Sequence, residues 1–314
     1  MTVLSSWTSI YFAVNSVYIR GIMKSWLWLL LVSFSAFAGI EEILQYPDNR
    51  VYSPSDRGWM QYYARSLYNT NTFTLTFDDG PHPTHTPKLL DVLKKHNVKA
   101  TFFILTNKVN ESTMPILKRI LDEGHILANH GPVHDNSNTL DELQWKEQLR
   151  SSMKIMVNVH QRTGHEFTNI YYRYPYGAYA GRSDYHHMNA LQDVSNELFG
   201  NNCIQFAFWD VDTVDWLAGM TSAEITQNIV AWNEGGKAID FLKKPNGTFV
   251  KKPYIVKEPT AGGVVLNHDI HAVTPGAIDL FLTYANQRGV KTIRLDEVEE
   301  FRVQRSCQLV SSFQ

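Results

Sequence analysis

The sequence predicts an α/β protein in which seven parallel strands, separated by helices, form a barrel. Short apolar segments rich in β-branched and aromatic residues alternate along the chain with segments of helical periodicity, and this alternation is typical of parallel sheets. With 314 residues, 44% of them hydrophobic, the chain is long and apolar enough for one large core. Its unusual polar clusters follow the predicted strands, at the edge where parallel α/β folds carry their chemistry.

The predicted strands are short, and nearly all of them are separated by predicted helices. The strands cover 73–77, 100–105, 125–128, 170–174, 204–211, 263–267 and 292–295. Helices are predicted at about 86–97, 116–124, 139–164, 184–198, 221–233 and 274–289, and from 296 onward.

Local signals mark where several of these helices begin and end. Thr139 with Glu142 and Thr221 with Glu224 each have the spacing of a capping box, which predicts a helix start at each place. Gly164 predicts the end of the long third helix, because glycine readily adopts the left-handed conformation that ends helices.

The first 38 residues have the pattern of an N-terminal extension with a secretory signal. Met23-Lys24 precedes an apolar run at 26–34, and Ala36-Phe37-Ala38 is typical of a cleavage site. The run is short for a membrane span, although an uncleaved anchor is the alternative. We expect an exported protein, periplasmic or extracellular after cleavage near Ala38, with no stable membrane span in the mature chain.

The rest of the chain is expected to be an N-terminal arm, 39–72, followed by one folded domain, 73–314. One long interruption of the α/β pattern, 234–260, lies before the sixth predicted strand. It contains Asn246-Gly247, a pair that favours a hairpin turn. The insertion is either a flap over a functional site or a passive surface hairpin, and the sequence favours neither.

The formal net charge is −2 and no long basic run occurs, so nothing indicates a nucleic-acid partner. The chain has two cysteines, Cys203 and Cys307. Export would permit a disulfide between them, but two buried free thiols fit the sequence equally well.

Two polar clusters near the amino-terminal half have the residue types of a metal site. Asp78 and Asp79 follow the first strand, and His130 and His134 follow the third. Gly131-Pro132 between the histidines argues against a regular helix, so the turn must be tight or irregular. Two imidazoles and one carboxylate with an open position are the ligands of a catalytic rather than a structural Zn²⁺.

Three further clusters follow later strands. Arg173 can hold a carboxylate through two hydrogen bonds, and the backbone N–H of Tyr176 can face a developing oxyanion. Three acids and two tryptophans lie in 209–216. His268 titrates near neutrality and can serve as an acid. A structural arginine and structural histidines are the alternatives.

These clusters, in this order and spacing, resemble the five motifs of the polysaccharide deacetylases (carbohydrate esterase family 4, the NodB homology domain). The segments are Thr76-Phe77-Asp78-Asp79-Gly80, His130-x-x-x-His134, Arg173-x-Pro175-Tyr176, Asp212-x-x-Asp215-Trp216 and Leu266-x-His268. The resemblance covers about 73–300 and implies a distorted (β/α)7 barrel, in agreement with the count of seven strands. Gly131 departs from the family, which usually has Ser or Thr there, but no ligand is lost.

The resemblance implies one divalent metal ion bound by Asp79, His130 and His134. Zn²⁺ is favoured by these ligand types, and Co²⁺ or other divalent ions are alternatives. It also implies that Asp78 is the general base and that Arg173 holds Asp78 in place.

On the opposite side, the resemblance implies that His268 is the general acid and that Asp215 orients it. The Tyr176 backbone N–H would share the charge of the oxyanion. Trp216 and Leu266 would form part of the pocket for the acetyl methyl group.

The function expected is therefore hydrolytic removal of N-acetyl groups from N-acetylglucosamine in a cell-wall polysaccharide, with peptidoglycan as the first choice. A chitin oligosaccharide deacetylase and an acetyl-xylan esterase are alternatives within the same chemistry. An inactive glycan-binding domain is an alternative from another class, although a pure binder needs no acid–base pair.

Overall fold

The computed structural model describes residues 64–179, 186–200, 203–302 and Cys307. Within these ranges the strands are β1 Thr72–Asp78, β2 Thr101–Ile104, β3 Ile126–Asn129, β4 Tyr171–Tyr172, β5 Gln205–Phe206, β6 Val211–Asp212, β7 Gly236–Lys243, β8 Phe249–Val256, β9 Gly262–His268 and β10 Lys291–Thr292. The helices are α1 His85–Lys95, α2 Met114–Asp122, α3 Glu142–Thr163, α4 His186–Leu198, α5 Ser222–Glu234 and α6 Thr274–Arg288.

The main sheet is parallel, as predicted, and β1 lies at its centre. Its order is β5-β4-β3-β2-β1-β9-β6, and β10 pairs with the start of β1. Every residue of β1 is buried, because helices cover the outer face of the sheet and side chains fill the inner face, as parallel sheets require. The α/β prediction is confirmed.

The barrel is incomplete, because the fifth predicted strand is broken in two. Its first half, β5, pairs with β4, and its second half, β6, pairs with β9. No described ladder joins β5 to β6. The predicted single strand over 204–211 is therefore wrong: the chain bends between the two halves and brings the two ends of the sheet together.

A buried arginine accounts for this break. The Arg173 guanidinium donates to the carbonyl oxygens of Ala207 and Phe208, at 2.7 and 2.9 Å. These carbonyls need no partner strand, because a buried polar group is satisfied by any good hydrogen-bond partner.

The helix boundaries follow local signals at most positions. Thr221 and Glu224 form the predicted capping box, and Gly164 ends α3 in the left-handed conformation. The predicted box at Thr139 is wrong: α3 begins at Glu142 and is capped by Asp141 with Gln144. The predicted terminal helix consists of two 3-10 turns, Leu295–Glu297 and Glu299–Phe301.

The predicted insertion folds as an antiparallel hairpin of β7 and β8. Its turn lies at the predicted Asn-Gly pair, where the Gly247 N–H donates to the Lys244 carbonyl at 2.9 Å. The Asn228 side chain of α5 holds the hairpin by exchanging hydrogen bonds with the Ile239 backbone, at 2.7 and 2.9 Å.

The predicted signal peptide and most of the predicted arm lie outside the described residues. The described part of the arm includes a 3-10 turn, Arg65–Leu67. In the part of the chain that the structure covers, no helix combines the length and apolar character needed to cross a membrane.

Cys203 and Cys307 form a disulfide across a sequence separation of 104 residues, with their Cα atoms 5.7 Å apart. The bond ties the end of the chain to the segment that follows α4. Of the two alternatives left open by the sequence, the structure has the disulfide.

We expect the double variant Cys203→Ser/Cys307→Ser to lower the free energy of unfolding by about 2–5 kcal/mol, because a cross-link over a long loop restricts the unfolded chain. Urea unfolding measures the change. Wild-type protein treated with reductant should unfold at the same urea concentration as the variant. Equal midpoints for oxidised and reduced wild-type protein would contradict a stabilising disulfide.

Candidate active site

Two adjacent acids at the end of β1 point to different partners. Asp78 is the last residue of the strand and pairs in register with His268 of β9. Asp79 has a φ of 74°, so the chain turns sharply and its side chain leaves the direction of Asp78. Gly80 makes this turn possible, since a Cβ there would lie 2.2 Å from an Asp269 carboxylate oxygen.

Asp79 faces both histidines of the second cluster. Its Oδ1 lies 3.5 Å from Nε2 of His130 and 3.5 Å from Nε2 of His134. One ligand atom from each of the three residues lies within 4.8 Å of the others. Neighbouring ligands of a tetrahedral ion with bonds of about 2.1 Å are about 3.4 Å apart, so the spacing fits one ion.

The hydrogen bonding of these donors also fits a cation. Asp79 Oδ1 is buried and has no hydrogen-bond partner among the described residues. The ring Nδ1 of His130 lies 2.8 Å from the Arg173 carbonyl, so Nδ1 donates a proton and Nε2 keeps its lone pair. Burial lowers the pKa of His130 to about 3, which keeps the imidazole neutral, as metal binding requires.

The histidine loop is irregular, as Gly131-Pro132 predicted, and is held by the turn that follows β2. Gly131 and Pro132 accept backbone hydrogen bonds from Thr106 and Asn107, both at 2.9 Å. Gly131 has a φ of 93°, a conformation that a side chain at this position would strain. Glycine at position 131, in place of the family's usual Ser or Thr, therefore suits the backbone conformation of this loop.

Asp78 is held by Arg173. One guanidinium nitrogen donates to Asp78 Oδ1 at 2.8 Å, and the same nitrogen donates to the Thr76 hydroxyl. Both Asp78 and Arg173 are buried. Burial raises the pKa of Asp78 above its usual range, against the opposing effect of the Arg173 charge.

His268 is paired with a buried carboxylate on its other side. Its Nδ1 lies 2.7 Å from Asp215 Oδ1, and its backbone N–H donates to Asp215 Oδ2 at 2.8 Å. The Thr274 hydroxyl also donates to Oδ2, at 2.7 Å. Burial opposes the charged imidazolium, but Asp215 outweighs it, with help from Asp79 and Asp78, and the pKa of His268 rises to about 10.

Tyr176 lies in the Pro175–Gly177 turn and has a left-handed backbone, with φ 59° and ψ 9°. Its ring packs against His134, with 4.3 Å between the ring centroids. Its backbone N–H donates to none of the residues that the structure covers. It is thus available to an oxygen atom of a bound ligand.

One cavity of about 650 Å³ joins these groups. The predicted site residues that line it are Asp78, Asp79, His130, His134, Tyr176, Trp216, Leu266 and His268. Arg173 and Asp215 lie behind this lining and contact Asp78 and His268. The structure therefore brings all ten predicted site residues together.

Sequence reasoning missed several residues around the site. Lys108 donates to the Asp79 backbone carbonyl at 2.5 Å. One feature of the sequence could have indicated this residue, namely its position shortly after a predicted strand. Asp269 contacts Gly80 from the other side of the turn, and burial raises its pKa to about 7. The hairpin residues Phe241, Lys243 and Phe249 line the cavity, and no pattern in the sequence indicated which of them would do so.

The fold and the site define an α/β domain with a candidate metal site, in which a carboxylate and an imidazole face one cavity. The family model described as polysaccharide deacetylase matches residues 68–191. Residues 68–191 are thus similar to the polysaccharide deacetylases, and the resemblance seen in the five motifs of this chain is confirmed.

Named relatives and a solved structure agree. A peptidoglycan-N-acetylglucosamine deacetylase of Bacillus cereus is 34% identical over 192 residues, 60% of this chain and 63% of the relative. The deacetylase PgdA of Listeria monocytogenes, also named for peptidoglycan N-acetylglucosamine, is 33% identical over 224 residues, 71% of this chain. A crystal structure of the Bc1960 peptidoglycan N-acetylglucosamine deacetylase has a TM-score of 0.53 and 27% identity, and covers 74% of this chain and 89% of that one.

The chain spans 63% of the length of the first relative and 38% of the second.

We expect His130→Ala to lose bound metal, because it removes one of three converging donors and leaves a cavity in their place. Metal content after dialysis, measured by mass spectrometry, tests this. His271→Ala is the matched control: its ring lies 5.8 Å from that of His268, but it is outside the converging trio. Full metal occupancy in His130→Ala would contradict the ligand assignment.

Proposed function

We propose that this protein is a metal-dependent hydrolase that removes N-acetyl groups from N-acetylglucosamine in peptidoglycan. The observation that carries the proposal is the placement of Asp78 and His268 beside the Asp79, His130 and His134 donors. Asp78 forms an ion pair with Arg173, and His268 forms one with Asp215. Both relatives are named for this reaction.

The donor set favours Zn²⁺, and Co²⁺ or another divalent ion accepts the same ligands. A bound metal ion would lower the pKa of a water molecule and polarise the acetyl carbonyl. Asp78 accepts the proton of the attacking water, and Arg173 keeps its carboxylate in one orientation. The Tyr176 N–H donates to the carbonyl oxygen as negative charge develops there.

An amine is a poor leaving group and must be protonated as the C–N bond breaks. His268 donates this proton from Nε2, while Asp215 accepts a hydrogen bond from Nδ1 and fixes the ring. The pKa of about 10 keeps the imidazolium protonated at neutral pH. Trp216 and Leu266 form an apolar wall suited to the acetyl methyl group.

We propose further that the enzyme acts outside the cytoplasm, after cleavage of a signal near Ala38. A cell-wall substrate requires export, and the Cys203–Cys307 disulfide suits an oxidising compartment.

Chitin oligosaccharides and acetylated xylan are the alternative substrates, since an O-acetyl ester needs less help from His268. The inactive binder is disfavoured, because a binder has no use for Asp78 and His268 in these environments.

Acetate release tests the function. Purified protein is incubated with peptidoglycan, chitooligosaccharides and acetylated xylan, each with and without a chelator. We expect release from peptidoglycan that a chelator abolishes and Zn²⁺ or Co²⁺ restores.

Asp78→Asn is the matched variant: it should keep its metal and lose about 10²–10⁴-fold in turnover, because it removes the base. Identification of the deacetylated sugar by mass spectrometry tests the choice of N-acetylglucosamine. No release from any polymer would favour the binder.

The pH dependence tests the role of His268. The acid form of His268 is lost as the pH rises through its raised pKa, so activity should fall on the alkaline side. Asp215→Asn removes the charge that raises this pKa. The pH at which kcat falls on the alkaline side, the alkaline limb, should therefore be lower by about one to three pH units. Thr274→Val removes only a hydrogen bond to Asp215 and should move the limb much less. An unmoved limb in Asp215→Asn would remove His268 as the acid.

A further inference from the structure

The β7–β8 hairpin is a fixed wall of the catalytic cavity. Phe241 and Phe249 pack against Trp216, with ring centroids 4.8 and 5.5 Å apart. Asn228 holds the backbone of β7, and Lys251 pairs with Glu224 at 2.7 Å. The hairpin is thus attached to the segment before α5 by apolar contacts, and to α5 itself by hydrogen bonds and an ion pair.

This wall is positively charged, although the whole chain has a net charge of −2. Between 236 and 256 there are five lysines and one aspartate: Lys237, Asp240, Lys243, Lys244, Lys251 and Lys252. Of the five lysines, Lys243 lines the cavity together with the metal donors.

Lys243 has the surroundings of a ligand-binding cation. It is exposed, and no described acidic side chain forms an ion pair with it. Its ammonium lies over the Phe249 ring, 5.9 Å from the ring centroid, so an aromatic residue of the same wall holds the charge near the cavity. A cation in this position gains most from an anionic group on the ligand itself.

We propose that Lys243 selects a glycan that has a carboxylate close to the acetylated sugar. The inference rests on the proposed function and goes further, because it separates acidic cell-wall glycans from neutral polymers at the same site. Chitin has no such carboxylate. In peptidoglycan the carboxylate has two sources: the lactyl group of strands without peptides, and the stem peptide of intact strands.

The test compares Lys243→Met, Lys243→Arg and Lys237→Met with the wild-type enzyme. Methionine keeps much of the stem without the charge, and arginine restores the charge. Lys237 lies on the same strand but outside the cavity lining, so its variant controls for the general charge of the hairpin. The substrates are glycan strands without peptides, intact muropeptides and chitooligosaccharides of equal length.

We expect Lys243→Met to raise KM for a carboxylated substrate by about fivefold with kcat unchanged, as for loss of a partly exposed ion pair. The substrate on which KM rises identifies the source of the carboxylate: strands without peptides indicate the lactyl group, and muropeptides indicate the stem peptide. Lys243→Arg should restore KM, and chitooligosaccharide kinetics should be unchanged in all variants. Added salt should raise KM for the carboxylated substrate in the wild type more than in Lys243→Met.

Three results would overturn the inference while leaving the deacetylase function in place. They are equal losses on chitooligosaccharides and carboxylated strands, an equal effect of Lys237→Met, and a KM that Lys243→Met leaves unchanged on both carboxylated substrates. Absence of acetate release by the metal-loaded wild type from every substrate would instead refute the proposed function itself.

Discussion

The buried guanidinium of Arg173 is the interaction on which both the fold and the site depend. It contacts Thr76 and Asp78 of β1 and the carbonyls of Ala207 and Phe208 between β5 and β6. A buried charge is tolerated only when it is paired and fully hydrogen-bonded. The break between β5 and β6 supplies two of the acceptors that this arginine needs, and the arginine in turn satisfies the carbonyls that the break leaves without a strand.

The same contact separates the chemical roles of two groups on neighbouring strands. Asp78 and His268 are paired in register, and the charge of each favours the charged form of the other. Arg173 supplies a cation to Asp78, and Asp215 supplies an anion to His268. Each group thus has its own counter-charge, which favours a carboxylate on one side of the cavity and an imidazolium on the other.

The sequence predicted the parts of this arrangement that depend on short-range patterns. The strands, the cap at Thr221 and the polar cluster containing His130 and His134 are readable from neighbouring residues. The break in the fifth strand was not, because it depends on Arg173, more than 30 residues earlier in the chain. The disulfide joins residues 104 positions apart, and no local pattern decides such a pairing.

The cavity is built from two structural layers that can vary independently. The ends of the parallel strands hold the proposed metal donors and the proposed acid–base pair, and these positions are fixed by β1, β9, Arg173 and the histidine loop after β3. The hairpin is antiparallel, pairs only with itself among the described strands, and is attached through α5 rather than through the main sheet. A change at the tip of β7 or β8 therefore alters the wall that a glycan contacts without moving Asp78 or His268. We expect separate attachment of this kind to let the wall change while Asp78 and His268 stay in place, because the wall and the strand ends are stabilised by different sets of contacts.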